Sequence, residues 1–358
     1  MNTTPLPQQS SHQGIALPNL EWLAGYTEEA LQPELPIIDA HHHLWELPGS
    51  TYLREELRAD LATGHDIQAT VFVECHSQYD TEGPLPLRPV GETRFVAAHS
   101  KAGGDADDTA PSQLCAGIVG WADLTLGDEV QAVLEAHLDA GQGRFRGIRA
   151  RPTWHGDPTV HPAGQGQEGV LRNANVQRAI SCAGKLGLSL DIWVYHTQLE
   201  DVEQLAARCP ETLLVLDHCG GPLGIGPFAE QRHEVFGAWR ARLKALAAFP
   251  NVCLKLGGLT MPRIGFGFER AERPVSSEVL ARAWAPWIET CIEAFGPGRC
   301  MFESNFPVDK VGCSYAVLWN AFKRITQKNS AADQAALFHG TAAEVYRLEL
   351  PALPSPLT

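Results

Sequence analysis

Two histidines separated by one residue, His41 and His43, have the types and spacing to do chemistry. They end a short apolar run that begins at Ile37 and reads as a buried strand. Because strand side chains alternate between faces, Ile37, Asp39, His41 and His43 are predicted to share one face. His41 and His43 should therefore converge on one point, where two imidazoles can bind a divalent metal or hold a polarised carbonyl group.

The elements that must position these histidines are eight short apolar strands, separated mostly by helices. The strands are predicted over 36–45, 69–75, 117–121, 145–151, 188–196, 213–218, 252–256 and 300–307. Such alternation is typical of parallel βαβ units. No G-x-G-x-x-G sequence follows the first strand, so we predict a closed (β/α)8 TIM barrel rather than an open, doubly wound sheet.

The barrel is predicted to span residues 36–350, between an N-terminal arm at 1–35 and a C-terminal tail at 351–358. The arm is rich in Gln, Ser, Pro and Thr, with a short helical signal over 27–31. Long loops are expected at the carboxyl face. The arm and the loop at 257–274 could cover a site there or form a subunit interface. Two further loops are predicted over 102–108, which should be mobile, and over 152–169.

The composition of the 358 residues excludes several classes of protein. Acidic residues outnumber basic ones 42 to 28, so nucleic acid and anionic membranes are not expected partners. The N-terminus has no apolar core of signal-peptide type, which predicts a cytoplasmic protein. The nine cysteines form no C-x-x-C pair, and no G-x-S-x-G sequence occurs. A disulfide framework, a zinc ribbon and a covalent serine nucleophile are therefore disfavoured.

Polar side chains lie where several predicted strands end, and parallel strands of a barrel end at the face that carries the active site. They are His76, Arg149, Arg151, Tyr195, His196, His218 and Asn305. Arg149 and Arg151 share a face and could clamp the carboxylate of a small anionic substrate; the alternative is a salt bridge at the surface or at the bottom of the barrel. His76 is a candidate ligand or substrate contact.

Strand alternation limits two of these candidates. Tyr195 lies on the face of its strand that also carries Asp191, so it is favoured over His196 for substrate binding. His196 would reach the substrate only if the strand ends early. Asp217 and His218 cannot both face inward on a regular strand.

Four segments, taken together, resemble the amidohydrolase superfamily. They are Ile38-Asp39-Ala40-His41-His42-His43-Leu44-Trp45, Phe145-Arg146-Gly147-Ile148-Arg149, Leu216-Asp217-His218-Cys219-Gly220-Gly221-Pro222 and Met301-Phe302-Glu303-Ser304-Asn305-Phe306-Pro307. The resemblance runs over about 35–347, and it is to the branch that includes sugar-acid lactonases and pyrone-dicarboxylate lactonase. It implies that His41, His43 and His218 are site residues. The aspartate that activates water in this family falls on Asn305.

Asn305 is a departure, because an amide cannot accept a proton at neutral pH. Three replacements for the general base are open. Glu303 lies two residues earlier on the same face, but deeper, where Lys255 could neutralise it. Asp309 follows just beyond the strand. Otherwise a histidine is the base, and Asn305 orients the water.

The resemblance implies a hydrolase that opens the lactone ring of a small carboxylated or polyhydroxylated molecule. His41, His43 and His218 would polarise the carbonyl group, with one divalent metal, zinc or manganese, or with none. Arg149 and Tyr195 would orient the substrate. Two alternatives are a non-oxidative decarboxylase of an aromatic acid, which needs a bound metal, and a barrel that only binds a sugar acid. The oligomeric state is open, a homo-oligomer included.

Overall fold

The computed structural model describes residues 16–101, 113–161 and 166–350. The loop predicted to be mobile at 102–108, the C-terminal tail at 351–358 and the first part of the arm lie outside the described residues.

Eight parallel strands form one sheet, and its two edges meet. In chain order the strands are β1 (Ile37–His42), β2 (Trp45–Leu47), β3 (Ser50–Tyr52), β4 (Ile67–Val73), β5 (Gln113–Gly120), β6 (Phe145–Ala150), β7 (Ser189–Ile192), β8 (Leu214–Leu216), β9 (Val252–Leu256) and β10 (Cys300–Phe302). β2 and β3 pair as a separate antiparallel hairpin. Beyond β10, the Asn305 N–H donates to the His41 carbonyl at 2.8 Å, and the His43 N–H donates to the Phe306 carbonyl at 2.8 Å. The predicted TIM barrel is confirmed.

Eleven α-helices are described, and most of them pack around the outside of the barrel. They are α1 (Leu20–Ala24), α2 (Arg54–Leu61), α3 (Val90–Lys101), α4 (Val130–Ala140), α5 (Ala174–Lys185), α6 (Leu199–Arg208), α7 (Arg232–Leu246), α8 (Ser277–Phe295), α9 (Tyr315–Thr326), α10 (Ala331–Ala335) and α11 (Thr341–Val345). The last of these, α11, contributes Ala342 and Val345 to the inner apolar cluster of the barrel. In α5 the buried residues Val176, Ala179, Ile180 and Ala183 follow the spacing of one helical face. No helix in the described part of the chain is long and apolar enough to cross a membrane.

The strands bury apolar side chains on both faces. Ile38, Val71, Val215 and Met301 belong to a compact inner cluster that also contains Tyr346, which follows α11. Alternate strand residues, such as Ile37, contact the helices in a larger outer cluster. A parallel barrel covered by helices has no solvent-facing side, which explains why its strands read as nearly continuous apolar runs.

β1 departs from the regular alternation that the sequence suggested. Its pairing with β4 shifts register between Asp39 and His42, where β1 advances three residues while β4 advances two. Such a bulge turns the following side chains to the other face. Asp39 consequently lies on the outer side, where it accepts from the Tyr315 hydroxyl at 3.0 Å, while His41 faces inward. The prediction that Asp39, His41 and His43 share one face is wrong.

The described part of the arm, 16–35, packs against the barrel. Its helix is α1, capped by Asn19, and the short helix predicted over 27–31 is wrong because that segment forms no regular helix or strand. The indole N–H of Trp22 donates to the Ala271 carbonyl at 3.0 Å, which joins the arm to the loop at 257–274.

Candidate active site

A buried carboxylate, Glu303, joins two histidines at the carboxyl end of the barrel. Its Oε1 accepts from His218 Nδ1 at 2.7 Å and from the His218 backbone N–H at 3.1 Å, and its Oε2 lies 2.9 Å from His41 Nδ1. Burial alone raises the pKa of Glu303, but electrostatic attraction and hydrogen bonding to the ring N–H groups of His218 and His41 outweigh it and lower the pKa to about 2. Glu303 is therefore ionised at neutral pH.

The protonation of His41 follows from its neighbours. His41 has a donor-only neighbour at each ring nitrogen, Arg149 Nη1 at 3.3 Å from Nε2 and Lys255 Nζ at 3.2 Å from Nδ1. Nδ1 also lies 2.9 Å from the Glu303 carboxylate, which can only accept. We assign the single ring proton to Nδ1, facing the Glu303 carboxylate. Burial, then the charge of Lys255, hold the pKa of His41 well below its usual value, so the ring is neutral.

His43 and His218 use the same nitrogen to anchor their rings. His43 Nδ1 lies 2.8 Å from the Val73 carbonyl oxygen, which can only accept, so the Nδ1 atom carries the proton. His218 directs Nδ1 at Glu303. The ring centroid of His41 lies 4.9 Å from that of His43 and 4.8 Å from that of His218. The structure thus gathers the three histidines, and the Nδ1 contacts of His43 and His218 leave Nε2 as the nitrogen of each ring that these acceptors do not hold.

His218 reaches this cluster because β8 ends early, at Leu216. Its φ of 55° is left-handed, which breaks the alternation and lets both Asp217 and His218 face inward. The sequence interpretation excluded this only for a regular strand, and the strand has already ended at Leu216. A Cβ on Gly258 would stand 2.5 Å from His218 Cβ, so a glycine is needed for the ring to fit here.

Asn305 and Asp309 form a second buried pair beyond β10. Asn305 Nδ2 donates to Asp309 Oδ1 at 3.0 Å, and the Thr260 N–H donates to Asp309 Oδ2 at 3.3 Å. Burial raises the pKa of Asp309 to about 7. Both oxygens of Asp309 are thus held by the protein, and the side-chain oxygen of Asn305 is an acceptor.

Arg149 and Arg151 meet the same carboxylate, Glu74, whose Oε1 lies 2.8 Å from Arg149 Nε and 3.1 Å from Arg151 Nε. Arg149 also donates to the Glu74 carbonyl oxygen, so with His41 all three of its nitrogens are engaged. Arg151 is 28% exposed and lies 2.7 Å from His76 Nε2. Two guanidiniums against one carboxylate leave a net charge of +1 in this group.

The other two predicted substrate contacts lie beyond β7, which ends at Ile192 instead of 196. The Tyr195 hydroxyl accepts from Arg263 and lies 3.1 Å from His161 Nδ1. His196 accepts the Leu223 N–H at 3.2 Å, and its ring packs 5.1 Å from that of Phe228. These contacts hold the His196 ring in the packing between the loops.

Sequence reasoning missed the central position of Lys255. This fully buried lysine lies 2.7 Å from Asp191 Oδ2 and 3.3 Å from Asp217 Oδ1, so its direct ion pairs are with these two carboxylates, while Glu303 acts on it as a further nearby charge. Burial lowers the pKa of Lys255, but Asp191 and Asp217 outweigh this and raise it, so the ammonium is charged. The sequence did hold one signal for this role, a lysine within the otherwise apolar strand β9. Arg263 and His161 lie in loops whose sequence gave none.

One group of side chains in the described residues could hold a metal by composition: His41, Asp217 and His218, whose donor atoms lie within 4.8 Å of one another. Nitrogen and carboxylate donors suit a divalent ion such as zinc, and neither oxygen of Asp217 accepts a hydrogen bond within the described ranges. His43, a predicted ligand, is outside this group. However, the Lys255 ammonium lies 3.2 Å from His41 Nδ1 and 3.3 Å from Asp217, so the residues as arranged do not fit a metal.

This chain is a closed barrel with imidazoles, guanidiniums and carboxylates at the carboxyl ends of its strands, which is the arrangement of TIM-barrel enzymes. The amidohydrolase family matches residues 38–348, and the chain belongs to that family.

Two relatives and one solved structure extend this comparison. The uncharacterized protein y4mH of Sinorhizobium fredii is 32% identical, over 88% of this chain and 99% of its own length. The L-fucono-1,5-lactonase of Burkholderia multivorans is 27% identical, over 88% of this chain and 97% of its own length. The crystal structure of an amidohydrolase from Burkholderia multivorans with bound zinc has a TM-score of 0.67 and 26% identity, over 87% of this chain and 99% of that one.

Proposed function

We propose that this enzyme is a lactonase, which adds water across the ester bond of a cyclic sugar-acid ester and releases the open hydroxy acid. The observation that carries the proposal is the buried carboxylate of Glu303 between His41 and His218. The likeness to an L-fucono-1,5-lactonase over nearly its whole length supports the substrate class.

His218 is the general base in this proposal. Its Nδ1 proton is held by Glu303 at 2.7 Å, which fixes the tautomer and leaves Nε2 to accept a proton from water. His43 also has an Nε2 lone pair, but its Nδ1 contacts a neutral carbonyl, and burial and Arg149 lower its pKa. The ionised carboxylate holds the His218 ring and faces the imidazolium that forms on proton transfer, whereas His43 faces only a neutral carbonyl.

Arg151 is the group that stabilises charge on the substrate. When water attacks the lactone carbonyl, its oxygen becomes an oxyanion, and a nearby cation in a water-poor site stabilises it. Arg149 is fully engaged by Glu74 and His41, whereas Arg151 is partly exposed and its group carries the net positive charge. Arg149 is then a positioning residue that holds His41.

Asn305 keeps a role that needs no proton transfer. Its amide nitrogen is held by Asp309, which orients the amide oxygen to accept a hydrogen bond from the attacking water. His218 takes the proton of that water and returns it to the ring oxygen when the carbon–oxygen bond breaks. The overall change is one lactone and one water to one hydroxy acid.

The test is turnover of aldono-1,5-lactones, aldono-1,4-lactones and a pyrone carboxylate by the tag-free protein, measured as acid release with a pH indicator. We expect hydrolysis of a sugar-acid lactone, and a decrease of kcat of roughly 10²- to 10⁴-fold in His218→Asn. His99→Asn, on α3 and away from this cluster, is the matched control and should retain its rate. Absence of turnover on every lactone, with the protein folded, would refute the proposal.

A further inference from the structure

The ammonium of Lys255 occupies the centre of a group of anionic and imidazole atoms. Asp191 Oδ2 lies at 2.7 Å, His41 Nδ1 at 3.2 Å and Asp217 Oδ1 at 3.3 Å from Nζ. All four side chains are fully buried. Carboxylate oxygens and imidazole nitrogens are the atoms that divalent metals select in proteins. The lysine therefore stands where such donors converge.

Two of these neighbours, His41 and Asp217, also belong to the group that could hold a metal by composition. A divalent ion on that group would lie within a few ångströms of the ammonium. In a buried site the repulsion between them is weakly screened, so the lysine and the ion exclude each other. The ammonium also neutralises the carboxylates, which leaves them weaker ligands.

We propose that Lys255 takes the place of a divalent cation in this barrel and prevents metal from binding, so that its removal opens a metal site that uses His41 and Asp217. The lysine supplies the positive charge that the buried carboxylates require. The proposal concerns cation binding and does not depend on which substrate the enzyme takes.

The test compares Co²⁺ and Zn²⁺ binding to metal-free wild-type protein and to Lys255→Met, which keeps the length of the side chain and removes its charge. Binding is followed by the visible absorption of protein-bound Co²⁺ and by calorimetry with Zn²⁺. We expect about one ion per chain in the variant, bound roughly 100-fold or more tightly than by the wild type. Adding Asp217→Asn to the variant should abolish that binding.

Lys323→Met is the matched control, because Lys323 is also buried but contacts the backbone of the arm, away from the barrel interior. It should leave metal binding unchanged. Since Lys255→Met leaves Asp191 without its partner, Lys255→Met with Asp191→Asn restores the charge balance should the single variant not fold.

Two results overturn the proposal. One is tight binding of an ion by the wild type that is lost in Asp217→Asn. The other is a folded Lys255 variant that binds neither metal. Both readouts are independent of lactone turnover, so a failure of the lactonase proposal is distinguished from a failure of this one.

Discussion

Replacing Glu303 with glutamine tests the core of the active site. The carboxylate faces two imidazole N–H groups, with Oε1 2.7 Å from His218 Nδ1 and Oε2 2.9 Å from His41 Nδ1. A glutamine offers one oxygen and one NH₂ group, so it can accept from one ring but presents donors to the other. One ring must then reorient or change its tautomer, which moves a proton onto Nε2.

The pKa of Glu303, at about 2 instead of 4.5, shows that its surroundings favour the ionised carboxylate. That shift corresponds to about 3 kcal/mol of stabilisation of the ionised carboxylate by its surroundings. Because the folded-state pKa is depressed, this stability is present above about pH 4.5 and is lost as the pH falls through about 2. We expect kcat to fall by roughly 10²- to 10⁴-fold in Glu303→Gln, as for loss of an oriented general base.

The assay measures kcat and KM for the preferred lactone over a range of pH, with circular dichroism as the check on folding. A decrease in kcat with KM changed less than about threefold is expected, because Glu303 orients the base and does not touch the substrate. Asp60→Asn is the matched control: this buried carboxylate pairs with Lys310 outside the barrel interior. A Glu303→Gln enzyme with kcat within threefold of the wild type would refute the assignment of His218 and Glu303 as a catalytic pair.

Three further variants test the neighbouring groups. Burial raises the pKa of Asp309 from 3.8 to about 7, so its contribution to stability is present at low pH and is lost as the pH rises through 7. Urea unfolding of the wild type should therefore give a free energy of unfolding roughly 2 to 3 kcal/mol lower at pH 8 than at pH 5. Asp309→Asn should lack this difference. Asn305→Asp would set a second carboxylate against Asp309, so the free energy of unfolding should fall by about 1–3 kcal/mol at pH 8 and by less at pH 5. An equal loss of stability at the two pH values would contradict this expectation. Arg149→Lys removes the planar guanidinium that contacts both Glu74 and His41. We expect kcat to fall roughly 10- to 100-fold while the circular dichroism spectrum stays native. An unchanged kcat would show that His41 does not need this support.

Much of the fold could be predicted because its signals are local. The strand at 252–256 and the helix at 315–326 were predicted with the bounds that the structure gives. An apolar run between breakers, or a helical spacing of apolar residues, is written in neighbouring positions of the chain. The hairpin of β2 and β3 and the helix α2 were missed, because their segment lacks a clear period.

The sequence by itself determined which residue types end the strands, and hence that His41, His43, His218 and Glu303 would gather at one end of a barrel. Only the tertiary structure decided their contacts. The bulge in β1 turns His41 inward, and the left-handed φ of His218 adds Asp217 to the interior. The partners of Lys255 also came only from the fold, since Asp191 is 64 residues away in the chain. Register and ion pairing arise from contacts between distant segments, which a local pattern does not contain.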